Sequence, residues 1–196
     1  MTRPINELIN NATLFINRTP LKDSEITIEK ILSLMTVENR LGLGKDSIKF
    51  EAKPSVTEYD FAGKLDNSVK WFEEITGWKV SLEGDILDIN KNLVDVSLVE
   101  NLEDNNKDYK IFKPKERLKD TDYSDIIVCG ELKGTDKTVI LYVRNTFNED
   151  GLSITFKDKD NNAATLKFTG KSELDFTTMK MTAPFFLLYP PIEGVD

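Results

Sequence analysis

The chain contains no histidine, which excludes imidazole as an acid, a base or a metal ligand. Its one cysteine, Cys129, cannot form an internal disulfide, and in the apolar run "DIIVCGEL" it is expected to be a buried, inert thiol. A basic excess is also missing. The 26 Lys and Arg stand against 34 Asp and Glu, a net charge of −8, so the bulk charge carries no nucleic-acid footprint. Ten glycines and seven prolines in 196 residues are too few for a fibrous or low-complexity chain, and no internal repeat is found. Long hydrophobic runs are absent too. The apolar stretch "APFFLLYPPI" at 183–192, inside the longest run free of charged or amide side chains, is half of what a membrane-spanning helix needs and holds three prolines. The opening "MTRPINELINNATLF" has neither the charged nor the apolar region of a signal peptide, so cytoplasmic synthesis is expected and the sequons at Asn11 and Asn17 carry no meaning.

What remains is a length and composition suited to a single domain over 1–196, with a period of mostly two. In "GLSITFKDKDNNAATLKFTG", Leu152, Ile154 and Phe156 alternate with polar residues, as do Ala164, Leu166 and Phe168. Turn residues 158–162 lie between them, which predicts a hairpin pairing Ile154 with Leu166. "SDIIVCGEL" and "KTVILYVRN" flank Gly134, Thr135 and Asp136 as a second hairpin whose strands are apolar on both faces. Such strands need two covers, from another sheet of the same chain or from a neighbouring subunit. Ile48, Phe50, Ala52 and Val56 alternate with polar residues in a strand that Pro54 marks as an edge or a bulge. "VKWFEEITGWKVSLEGDILDI" predicts two strands around Thr76 and Gly77, with 60–68 as a connection. A helix is predicted over 90–102, capped by Asn90, with Leu93, Val96, Val99 and Leu102 along one face. Lys91 at its start and Glu100 and Glu103 at its end oppose the macrodipole, so packing must hold it. Residues 24–35 suit a helix through Ile28, Ile31, Leu32 and Met35, or a strand through Ile26 and Ile28; the following "TVENRLGLGKD" reads as a polar loop.

No catalytic or metal-binding constellation emerges. "GLGKDS" lacks the first glycine of a phosphate loop, with Asn39 in its place and Asp46 where Ser or Thr is needed. Glu73 with Glu74, and Asp85 with Asp88, are acid pairs of a kind that 34 acidic residues produce by chance. "DKDNN" at 158–162 lacks the closing glutamate of a calcium loop. Trp71, Phe72 and Trp78 suit an aromatic platform for sugars or single-stranded nucleic acid or, more plainly, a core, and no basic patch accompanies them. No cofactor is expected.

Taken in order, several segments resemble the major tail tube protein of long-tailed bacteriophages. They are "NNATLFINRTPLKDSEITIEKILSLMTVENRLGLG", "WKVSLEGDILDINKNLVDVSL", "YSDIIVCGELKGTDKTVILYVRNTF", the hairpin 151–170 and "MTAPFFLLYPP". The similarity is one of spacing and character rather than of fixed residues. It implies a mainly β fold, a β-sandwich of two packed antiparallel sheets with one flanking α-helix, assembling into a ring-shaped β-barrel. It also resolves 24–31 toward a strand and implies a virion protein made in the host cytoplasm. Six copies would form a ring and rings would stack into a tube for double-stranded DNA, which passes without specific binding; an acidic bore would repel phosphates. The implied partners are further copies, the tape measure, terminator and baseplate proteins, and a sheath in a contractile tail or phage-derived bacteriocin, with no membrane. The resemblance makes the loop 32–47 the inter-ring candidate, through Arg40, Leu41, Gly42, Leu43, Gly44 and Lys45. The strand at 183–192, through Phe185, Phe186, Leu187, Leu188 and Tyr189, becomes a subunit-interface candidate. The region 101–122 is longer and more charged than that pattern and reads as an outward insertion. A carbohydrate-binding β-sandwich is the alternative from another class.

Overall fold

The computed structural model describes residues 9–59, 70, 72–102, 108–132, 137–156, 163–176 and 180–191. The fold is mainly β and antiparallel, as expected. Its strands are β1 (Ile9–Asn17), β2 (Arg40–Glu58), β3 (Glu73–Ile86), β4 (Val99–Leu102), β5 (Ile111–Pro114), β6 (Ser124–Leu132), β7 (Thr138–Asn148), β8 (Ser153–Thr155), β9 (Ala163–Gly170), β10 (Leu174–Asp175), β11 (Lys180–Met181) and β12 (Phe185–Leu188). Two α-helices, α1 (Ile28–Leu34) and α2 (Lys91–Val96), accompany them. The main sheet runs β12-β7-β6-β1-β2-β3-β9-β8, and the far end of β7 also pairs with β9, so six strands close into a ring. That closure rests on two register pairs, Phe147 with Thr169 and Asn148 with Phe168.

Alternation sends Leu14 and Ile16, Leu82 and Val80, Ile126, Leu141 and Val143, and Leu166 and Phe168 into one buried cluster inside the ring. Each large side chain buried there contributes about 1.5–3 kcal/mol. Helix α2 stops one end. Its cap is the expected Asn90, whose side chain accepts from the Leu93 amide at 3.1 Å, and it drops Leu93 and Val96 into the core. The Asn92 amide donates to the Glu38 and Arg40 carbonyls, both at 2.8 Å, tying the helix to the start of β2.

The two-faced apolar hairpin is present as β6 and β7. Its second face is covered by the same chain: Ile127, Ile140 and Tyr142 pack with Leu21 and with Ile31 of α1. Residues 24–31 are therefore not a strand. Residues 23–25 form a single 3-10 turn, and Thr27 caps α1 by accepting from the Lys30 amide at 3.2 Å. Helical spacing is what puts Ile31 into the cluster with no exposed surface.

Four further expectations are corrected. The helix over 90–102 ends at Val96; the Ser97 hydroxyl donates back to the Leu93 carbonyl at 2.6 Å, Leu98 turns out at φ +55°, and β4 follows. The pair of strands around Thr76 and Gly77 is one continuous strand, β3, which accommodates the irregularity opposite Ser55 and Val56. Pro54 sits opposite Trp78 immediately before that irregularity, on the part of β2 that has no second neighbour, which agrees with the reading of an edge or a bulge. In the hairpin of β8 and β9, Ile154 faces Ala164 rather than Leu166. Finally, 32–47 is not a loop, because β2 begins at Arg40. The turns at 134–136 and 158–162 and the connection 60–68 lie outside the described residues.

Candidate assembly surface

The ring is complete only around one end. β1 pairs with β2 at Arg40, Gly42 and Leu43, and β3 pairs with β9 from Val80 to Ile86. Beyond those limits β2 and β3 pair only with each other, and they run on together as a two-stranded arm to Glu58 and Glu73. Its length follows from the alternation in both strands. The core face at Phe50 and Leu82 continues outward through Ala52 and Val80, Pro54 and Trp78, then Val56 and Ile75. Only the inner part is covered: Phe185 of β12 packs edge-on against Phe50 and Trp78, with ring centroids 5.2 and 5.7 Å away. Further out, Val56 is 55% and Ile75 54% exposed. The arm thus presents an apolar face and, from Glu73 to Lys79, a strand edge that has no second neighbour among the described residues.

At the same end the two layers stand apart over a groove of about 440 Å³, lined by Ile48, Phe50, Leu82, Val128, Leu141 and Leu187 among others. β12 borders it, pairing with β7 through Phe185 to Leu188, and no strand among the described residues pairs with its other edge. Its side chains split between two faces. Phe185 joins the interior cluster and Leu187 the groove, while Phe186 and Leu188 pack on the α1 side. Tyr189 is partly exposed just past the strand.

The other predicted positions are dispersed along the first residues of β2. Leu41 is fully buried in the core. Arg40 pairs with Asp88 at 2.9 Å, Leu43 is partly exposed, and Gly44 and Lys45 pair with Ile86 and Asp85. A β-carbon on Gly42 would lie 2.9 Å from the Ile86 side chain, so this glycine serves close packing rather than loop flexibility. Of the aromatic trio, Trp71 lies outside the described residues, and Trp78 presents its ring to Phe185. Sequence reasoning missed Ile75, because Thr76 and Gly77 were read as a turn that hid its register with Val56.

The titratable groups buried in the molecule act as pins. Asp125 accepts from Tyr142 Oη at 2.5 Å and from the Asn145 amide at 2.9 Å, and Asn17 Nδ2 donates to Tyr142 Oη at 3.1 Å. Burial pushes the Asp125 carboxyl above its usual range, against the hydrogen bond from Tyr142; burial and the nearby carboxylate push the Tyr142 hydroxyl up as well. Arg144 donates to the Leu21 carbonyl at 2.7 Å and pairs with Asp23. These contacts fasten the segment before α1 onto β6 and β7. Burial, with Glu131 adding to it, pushes the Cys129 thiol up, away from the reactive thiolate. Among the described residues no group of three or more Cys, Asp or Glu is placed to hold a metal ion, and no helix is long and apolar enough to cross a membrane.

No protein-family model matches the chain, and no curated protein does. Among solved structures, a chain of the anti-feeding prophage baseplate, determined by cryo-electron microscopy with six-fold symmetrisation, is similar at a TM-score of 0.41. The two are 8% identical, and the match covers 96% of this chain and 97% of that one. So loose a likeness carries no argument about this chain's role.

Proposed function

We propose that this chain is a non-catalytic structural subunit that assembles with copies of itself into rings, and that the rings stack into the tube of a phage-type tail. The observation that carries this reading is the β2–β3 arm, an amphipathic ribbon that leaves a closed barrel with an apolar face and a strand edge uncovered. Exposed apolar sheet faces and long open edges promote association, and closure into a ring of subunits disposes of both. The open edges of β3 and β12 are the strands that a neighbouring subunit would extend.

Six subunits per ring, passage of double-stranded DNA and contact with tape measure, terminator and baseplate proteins follow from the resemblance of the sequence. The net charge of −8 suits such a conduit, since an acidic bore repels phosphates. The inner tube of a contractile tail or bacteriocin is the same reading with a sheath around it. Sedimentation and negative-stain microscopy of the purified chain test it. Rings or tubes are expected, and a monomer under every concentration and salt condition overturns it.

A further inference from the structure

The outward face of the layer formed by β2, β3 and β9 gathers charges that lie far apart in the chain. Most of them are balanced: Lys49 pairs with Glu83 at 3.3 Å, and Lys167 with Glu149 at 3.4 Å. One row is not. Lys53 of β2 stands directly opposite Lys79 of β3, and Lys171 follows directly on Gly170, which is opposite Val80. All three lysines line one concave site of about 600 Å³. Glu51, 3.0 Å from Lys53, is the one acid among its described lining residues. Lys79 makes no ion pair among the described residues, and Lys171 Nζ lies 5.5 Å from the centre of the Phe147 ring. Like charges directly opposite each other destabilise a sheet, and an anion between them relieves the repulsion.

Further donors surround the row. Ser81 and Ser172 line the site, and the backbone from Gly77 to Lys79 runs along the edge of β3 that has no second neighbour among the described residues. Ammonium groups, hydroxyls and backbone amides all donate to anionic oxygens. The site is also roomy, since a β-carbon on Gly77 would meet no atom within 4 Å. Trp78 lines it as well, 40% exposed and braced by Phe185 at 5.7 Å between ring centroids. No basic patch accompanies this aromatic in the sequence. Strand register supplies one, by placing three distant lysines around it.

We propose that this corner of the sheet binds single-stranded nucleic acid, with phosphates on Lys53, Lys79 and Lys171 and a base on Trp78. A positively charged groove beside an exposed aromatic ring holds single strands with little regard to sequence, because every base has a face that stacks. A duplex keeps its bases inside and leaves Trp78 unused. A mononucleotide has too few phosphates for lysines on β2, on β3 and just past β9, and an acidic peptide has no base for the ring. The site needs only one copy of the chain and stands apart from assembly.

The test is fluorescence anisotropy of a labelled oligothymidylate, about 12 nucleotides long, titrated with the full chain. With three phosphates neutralised, the logarithm of the binding constant should fall with the logarithm of salt at a slope of about −2, a loss of about twentyfold between about 50 and 200 mM. Lys79→Gln with Lys171→Gln should weaken binding more than about tenfold at the lower salt and reduce the slope to about −0.7. Lys30→Gln with Lys110→Gln removes the same charge from exposed positions elsewhere and should change neither; circular dichroism checks that both variants fold. Stacking is read separately. In a Trp71→Phe background Trp78 is the remaining tryptophan, and its fluorescence should be quenched as the strand binds. The proposal is overturned if wild type does not bind, if the two double variants bind alike, or if Trp78 is not quenched. It is equally overturned if a duplex or a glutamate peptide of the same length binds as tightly, or if thymidine monophosphate displaces the strand at equal phosphate concentration.

Discussion

Two parts of the molecule carry apolar side chains beyond what the barrel interior covers, and only one of them is covered by another part of the chain. On β6 and β7 the second face is sealed by α1 and the segment before it, held by Asp125, Tyr142 and Arg144. On the arm of β2 and β3, Val56 and Ile75 extend the core face past the last strand that could cover it. A doubly apolar strand therefore says that a cover exists, not which chain supplies it. The face that called for either another part of the chain or a neighbouring subunit is covered internally, and the uncovered apolar face sits where the sequence alternates in the ordinary way.

The contrast can be broken most severely from its sealed side. Ile31→Asp places an unpaired charge under α1 and is expected to cost more than about 3 kcal/mol, read as a lower urea midpoint; a change below about 1 kcal/mol would mean that the helix is not a true cover. Phe186→Asp, at the β12 border of the same cluster, should cost about 2 kcal/mol and damage assembly, and rings of normal yield from it would refute this placement. A subtler probe is pH. Because burial holds the Asp125 carboxyl above its usual range, the folded chain binds that proton more tightly than the unfolded chain does. Its contribution is fully present below about pH 4 and is lost as pH rises through the raised value. The stability of wild type minus that of Asp125→Asn should thus fall from pH 4 to pH 7, and a difference that rises would mean that the hydrogen bonds to the carboxylate outweigh its burial. Smallest for the fold is the pair Val56→Ser and Ile75→Ser on the open side. It should change stability by less than about 1 kcal/mol while association is lost, and unchanged association would remove the arm from the interface.

Much of the fold was legible because alternation and cap chemistry are local. The hairpin of β6 and β7, the irregularity after Pro54 and the Asn90 cap all follow from residues within a few positions of one another. The misses have a common cause in context. α1 had its signals, Thr27 as a cap and Ile28, Ile31, Leu32 and Met35 at helical spacing, but family resemblance weighed more than period at 24–31. The glycines at 42 and 44 resembled a loop because their reasons lie in packing: a β-carbon on Gly42 would meet the distant Ile86 side chain, and one on Gly44 would come within 3.1 Å of the Ala12 carbonyl. Gly84 is the same case, since a β-carbon there would come within 2.6 Å of the Ser47 carbonyl. The open face on the arm was hidden because register, not composition, puts Ile75 beside Val56.

The two ladders at either side of the ring differ in a way that bears on mechanical load. β2 and β3 are joined by thirteen register pairs, β7 and β9 by two. Ladder hydrogen bonds lie across the strands, so a pull along the arm loads the long ladder in shear, with all its bonds strained together. The two-pair seam shares a separating force between very few bonds and yields first when the layers are prised apart. A chain built this way is stiff along the axis of its arm and compliant at its seam.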